Sequence, residues 1–206
     1  MSQQSITLAM TGASGALYGL RLLECLLKAG EQVYFLASQP AQMVVAMEMD
    51  IKLAGSNEAI KATLLEQFGG ETDQLHVYGK DQWTAPIASG SSVSRAMVVC
   101  PCSSGTLSSI ATGASDSLLE RAADVVLKEN KQLILVHREA PVSAIHLENM
   151  LKLARIGATI LPASPGFYHR PQSVEEVVDF VVARVLDHLH IEHKLLPRWG
   201  EDSKKG

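Results

Sequence analysis

The 206-residue chain is 47% apolar and carries a formal net charge of −4, enough for one sizeable core over residues 1–200 but short for two independent domains. Acids and bases are mixed without a basic stripe for a nucleic-acid backbone, and no apolar run approaches the roughly 20 residues that span a bilayer. Met1–Ser5 lacks the regions of a signal peptide, so a cytoplasmic protein with no nucleic-acid or membrane partner is expected.

The apolar run Ile6–Met10, a Gly/Ser-rich turn and a helical pattern through Tyr18, Leu22, Leu23, Leu26 and Leu27 read as strand, loop and helix, followed at once by a strand over Gln32–Ala37. Short apolar runs recur at Ala96–Cys100, Leu133–His137 and Ala158–Leu161. Helices are predicted between and after them over Ser103–Thr112, Leu118–Glu129, Ser143–Ile156 and Val174–Leu189. The last opens with Ser173-x-x-Glu176, a capping-box pattern. Alternating strands and helices predict a Rossmann-like (flavodoxin-like) α/β three-layer sandwich with a mostly parallel sheet. Within Asp50–Gln82 only a helix near Glu58–Phe68 is legible, and Glu201–Gly206 reads as a flexible polar tail. Trp199, beyond the last helix, needs a packing partner, for which a neighbouring subunit is one candidate.

Ligands of doubly wound sheets bind outside the carboxyl ends of the strands. Polar residues gather there: Thr11, Gly12, Ser14 and Gly15, then Ser38, then Ser103, Ser104 and Thr106, then Arg138 and Glu139. The loop Thr11-Gly-Ala-Ser-Gly-Ala16 offers glycines and a helix N-terminus to a phosphate, although any tight strand-to-helix turn can use two glycines. Ser38 stands where dinucleotide enzymes usually carry an acid for the ribose, which favours a mononucleotide. Arg121, Lys128, Arg170 and Arg184 are cations that, taken singly, read as solvated surface. Glu139 fits an ion pair with Arg138 or an acid/base role, and Glu48 fits proton transfer or the wet face of a helix. Trp83 and Trp199 lie in loop-like sequence where a ring face can meet a flat ring or a cation. The seven histidines lack ligand spacing and the three cysteines cannot all pair, so no metal is expected and the thiols read as buried and reduced.

Six stretches in order resemble the UbiX-like flavin prenyltransferase family, a branch of the homo-oligomeric flavin-containing decarboxylase fold group. They are Thr11–Ala16, Ala88-Ser-Gly-Ser-Ser92, Pro101-Cys-Ser-Ser-Gly-Thr106, Arg121–Glu129, Arg138-Glu-Ala-Pro141 and Phe167-Tyr-His-Arg-Pro-Gln172. The resemblance implies a single FMN-binding flavoprotein domain that transfers a dimethylallyl group from dimethylallyl monophosphate to N5 and C6 of reduced FMN without a metal, supplying a UbiD-type decarboxylase. It implies that Gly12, Ala13, Ser14, Ser38, Ser103, Ser104, Gly105, Thr106 and Arg138 hold FMN. Lys128, Tyr168 and Arg184, with Arg121, Ser89 and Gly90 nearby, match positions for the prenyl phosphate, and Trp83 and Trp199 match aromatics of the prenyl pocket. Ser14, Glu48 and Glu139 match residues linked to the chemistry at N5 and to proton movements. The family further implies a homo-oligomer, a dodecamer, with sites at subunit interfaces.

Overall fold

Helices cover both faces of the central sheet, and the burial pattern shows why. In β1 (Ile6–Met10) all five side chains are buried, as a parallel strand covered on both sides requires. The computed structural model describes residues 5–196. After β1 come α1 (Ala16–Lys28), β2 (Val33–Ala37), α2 (Gln39–Glu48), α3 (Asn57–Phe68) and β3 (Leu75–Tyr78). A descending segment with two short 3-10 turns, Pro86–Ala88 and Gly90–Ser92, leads to β4 (Ala96–Cys102), α4 (Ser104–Thr112), α5 (Leu118–Lys128) and β5 (Gln132–His137). The chain finishes with α6 (Ala144–Arg155), β6 (Thr159–Ile160) and α7 (Val174–Leu189).

The six strands lie in the order β3-β2-β1-β4-β5-β6, and every pairing is parallel. Alternation along the strands divides the core in two. Ile6, Leu8, Met10, Val98, Cys100, Ile134 and Val136 pack with α1, α2, α3 and α7. Ala9, Leu36, Met97, Val99, Leu133 and Leu135 pack with α4, α5 and α6. The result is the three-layer α/β sandwich expected. Between β1 and β4 the chain reverses its direction of winding, which opens a crevice at their carboxyl ends.

Local chemistry accounts for most boundaries. Ser38, Ser56, Ser103, Ser117, Ser143 and Ser173 each accept a backbone N–H at the start of a helix. The Ser173 pattern is only half a capping box, because Glu176 accepts from the Gln172 amide at 2.7 Å rather than from the cap residue. The reciprocal box is at α6, where Ser143 and His146 each accept the other's amide. β4 runs two residues beyond the predicted strand, with a register irregularity between Val99 and Cys102. Within Asp50–Gln82 lies β3, and the apolar segment Met43–Met49 falls on α2 up to Glu48; neither element was predicted from the sequence. Trp199 and the polar tail 201–206 lie outside the described residues.

Candidate active site

The switch-point crevice is closed at its base by Thr11. Its hydroxyl donates to the Pro101 carbonyl at 2.8 Å and accepts the Ser103 amide at 2.8 Å, tying the ends of β1 and β4 together. Gly12 stands against Pro40 of α2, where an added Cβ would lie 2.5 Å from the proline Cβ. Gly15 adopts φ 106° at the start of α1, a left-handed value that favours glycine.

The N-terminus of α1 holds an anion supplied by the chain itself. Glu48, at the end of α2, accepts the Gly15 amide with both carboxylate oxygens, at 3.1 and 3.0 Å, and the Ala16 amide at 2.8 Å. The amides expected to be unpaired for a phosphate are therefore taken at Gly15 and Ala16, and a phosphate is left the loop Gly12–Ser14 and the N-terminus of α4. Helix dipoles favour negative charge at such ends, which explains why a carboxylate from a neighbouring helix settles there.

Arg138 reaches across the crevice from β5, its Nε donating to the Ser14 carbonyl at 3.1 Å. Ser103 caps α4, and its hydroxyl also donates to Thr106 Oγ1 at 3.1 Å. Ser104 lies beside Glu139, to which its hydroxyl donates at 2.9 Å; the Ala140 amide donates to the other carboxylate oxygen at 3.2 Å. The Ser104 hydrogen bond, then the Ala140 amide, hold the Glu139 carboxyl below the usual carboxylate range. Glu139 is thus fixed by hydrogen bonds and makes no ion pair with Arg138 among the described residues. Ser38 and Thr106 line a cavity of about 460 Å³ together with Gln42, Tyr78, Lys80 and Glu120. Ser14, Ser38, Glu48, Ser103, Ser104, Gly105, Thr106, Arg138 and Glu139 all gather at this edge, with Gly12 and Ala13.

The expected phosphate-binding cations lie elsewhere. Lys128 ends α5 beside Glu129, its ion-pair partner, and a Cβ on Gly90 would sit 2.9 Å from its ammonium nitrogen. Four residues later β5 begins, so Lys128 is at the amino edge of the sheet, whereas Arg138 follows the last residue of β5. Six strand residues span roughly 20 Å. Arg184 points the same way along α7, whose final carbonyls accept from Gln132 and Arg95 at the strand starts; its guanidinium pairs with Asp187. Arg121 donates from α5 to the Ala88 carbonyl at 3.2 Å and pairs with Asp124, close to Ser89. Because α5 and α7 cover opposite faces, Lys128 and Arg184 are separated by the sheet itself. Tyr168 packs edge-on against Phe180 of α7 and is 56% exposed, and Trp83 is 47% exposed before the first 3-10 turn. Among the described residues Lys128 and Arg184 are therefore not brought together within one copy of the chain.

Sequence reasoning missed His137, Tyr78 and Lys80. Tyr78 and Lys80 were hidden with β3, while His137, counted among dispersed histidines, immediately precedes Arg138 at a strand end and so had to reach the ligand edge. Among the described residues no three His, Cys, Asp or Glu side chains gather to hold a metal ion.

A family model described as Flavoprotein matches residues 1–186. A flavin prenyltransferase UbiX of Pseudomonas aeruginosa is 61% identical over 198 residues, covering 96% of this chain and 95% of the relative. The chain belongs to the UbiX-like flavin prenyltransferases, within the flavoprotein family. Solved structures agree. AnUbiX (PadA1), determined in complex with FMN and dimethylallyl pyrophosphate, superposes with a TM-score of 0.85 at 36% identity over 96% of this chain and 97% of that one. A dodecameric FMN-dependent UbiX-like decarboxylase from Escherichia coli O157:H7 gives 0.84 at 37% identity over 95% and 98%. As a UbiX-like prenyltransferase the chain is an enzyme of the transferase class.

Proposed function

We propose that this enzyme joins a dimethylallyl group from dimethylallyl monophosphate to N5 and C6 of reduced FMN, without a metal, and that the prenylated flavin serves a UbiD-type decarboxylase. The observation that carries the reading is the split between a hydroxyl-rich crevice at the carboxyl edge, with Arg138 at its rim, and a separate set of cations on the outer flanks. The first suits a flavin mononucleotide and the second an allylic phosphate.

The crevice residues fit FMN. Close approach of backbone at Gly12, the hydroxyls of Ser38, Ser103 and Thr106, and the adjoining cavity give a phosphate and a ribityl chain room and donors. Arg138, anchored on the Ser14 carbonyl, places a cation beside the same loop. Reduced FMN supplies nucleophilic N5 and the ring carbon C6. Lys128, Arg121, Arg184 and the Tyr168 hydroxyl neutralise the departing phosphate, and Trp83 and Trp199 offer ring faces to positive charge on the prenyl carbons. Bond formation at N5 breaks the prenyl C–O bond, releases phosphate and frees the N5 proton; closure at C6 adds a proton to the prenyl double bond and removes the C6 proton, and Glu48, Glu139 or the released phosphate is the group that exchanges these protons. Ser14, in the loop after β1, matches the serine linked to the chemistry at N5.

A neighbouring copy completes the site. Lys128 and Arg184 lie at the opposite edge of the sheet from Arg138, and exposed apolar side chains such as Met43, Met47, Ile145, Leu147 and Leu151 mark α2 and α6 as surfaces for association. The dodecameric relative is consistent with this arrangement. Anaerobic incubation of the purified protein with reduced FMN and dimethylallyl monophosphate, in the presence of a chelator, tests the proposal. The released flavin gains the mass of one prenyl unit; an unchanged FMN mass overturns it.

A further inference from the structure

β5 ends in a histidine that binding of flavin or prenyl phosphate leaves without a role. His137 is 2% exposed, and its Nε2 lies 3.1 Å from the Ser104 hydroxyl at the start of α4. That hydroxyl donates to Glu139 Oε2 at 2.9 Å. A serine oxygen has one proton and two lone pairs. With the proton given to Glu139, the imidazole must act as donor to Ser104, which assigns the Nε2–H tautomer. Imidazole, hydroxyl and carboxylate thus form a chain of donors aimed at one Glu139 oxygen, while the Ala140 amide holds the other.

The groups around this chain keep the imidazole neutral. Burial, then the His146 ring of α6 with its centroid 6.2 Å away, push His137 below its ordinary value; Glu139 acts in the opposite sense and Arg138 in the same sense. Across the sheet Cys102 pairs in register with His137, and burial pushes its thiol up to about 12, so it brings no charge. Arg138 and His146 also favour the ionised form of Glu139.

We infer that His137 is a positioning residue for Glu139: through the Ser104 hydroxyl it fixes the orientation of the carboxylate and preserves it as a proton acceptor at the crevice. The effect on turnover rests on the proposed role of Glu139 in proton movement, whereas the positioning does not. The arrangement also gives Ser104 a purpose distinct from holding a flavin.

Crystal structures and anaerobic single-turnover pH profiles of the full-length protein with reduced FMN test this in His137→Leu, His137→Gln and Ser104→Ala. In His137→Leu the contact between Ser104 and Glu139 opens, and the acidic limb of the profile moves up by about one pH unit, the scale of one charge-assisted hydrogen bond. The rate near pH 8 is unchanged. His137→Gln, which retains a side-chain N–H, restores both, and adding His137→Leu to Ser104→Ala moves the limb no further. A His137→Leu protein with Glu139 in place and a wild-type profile overturns the inference, as does a loss at every pH that His137→Gln fails to rescue. A displaced Glu139 with an unchanged profile supports the positioning and overturns instead the assignment of proton transfer to Glu139.

Discussion

At the scale of single residues, Thr11 and His137 show how buried polar groups at the carboxyl edge are satisfied by one another. Thr11→Val keeps the shape but strips the Ser103 amide of its acceptor, while the Pro101 carbonyl keeps the Thr11 amide at 3.2 Å, and leaving the Ser103 N–H unpaired costs about 1–3 kcal/mol. Chemical denaturation of the variant measures that loss, and an unchanged midpoint would contradict the account. His137 makes stability depend on pH with a defined sign. Its folded-state proton affinity is lowered, first by burial, so the unfolded chain takes up the proton earlier, near pH 6.5. The stability this represents is present above that value and is lost as the pH falls below it. Melting curves of the wild type between pH 7 and pH 5 should therefore decline more steeply than those of His137→Gln; parallel curves would show that the imidazole is not resisting protonation.

Among the elements, α1 and β4 approach closely beneath the crevice. A Cβ on Gly19 would press into the Cys100 carbonyl oxygen and come within 2.9 Å of Met10 Cε. The close helix-to-strand packing for which dinucleotide-binding turns reserve a third glycine is provided here four residues after Gly15, inside α1. Gly19→Ala is expected to cost about 1–3 kcal/mol through overpacking and to weaken FMN retention, read by denaturant titration and by flavin fluorescence; a variant of wild-type stability would place the helix farther from the strand than the structure does. This explains why two glycines of the loop alone could not separate a binding turn from a plain strand-to-helix turn. The central strands and α1, α5 and α7 were readable because apolar runs and helical periodicity coincide with deep burial. β3 is four residues long, Leu75–Tyr78, with three of them only partly buried, too short for alternation to register. Exposed Met43 and Met47 blur the apolar stripe of α2, and its N-terminus is marked only by Ser38 and Pro40. The crevice residues could be named because strand ends predict where they gather; the reach of Arg138 to Ser14 and the docking of Glu48 on α1 depend on tertiary contacts that no local pattern carries.

For the whole molecule, Lys128 and Arg184 lie away from Arg138, and the proposed site is therefore one that an assembly of copies has to complete. Arg138→Ala and Arg184→Ala are each expected to abolish product formation when present in every subunit. Co-expressed in one cell, they should assemble mixed oligomers in which some sites receive an intact edge from one copy and an intact flank from another, and prenylation returns. Mixed oligomers without activity would place both residues in one copy's site. The carboxylate of Glu48 on the Gly15 and Ala16 amides acts at this scale too. With that helix end already occupied by Glu48, free inorganic phosphate or sulfate finds little to hold there. In the proposed reading, selectivity in a phosphate-rich medium then falls to ligands that engage the rest of the crevice along with their phosphate, and a carboxylate on α2 acts as a filter against free phosphate.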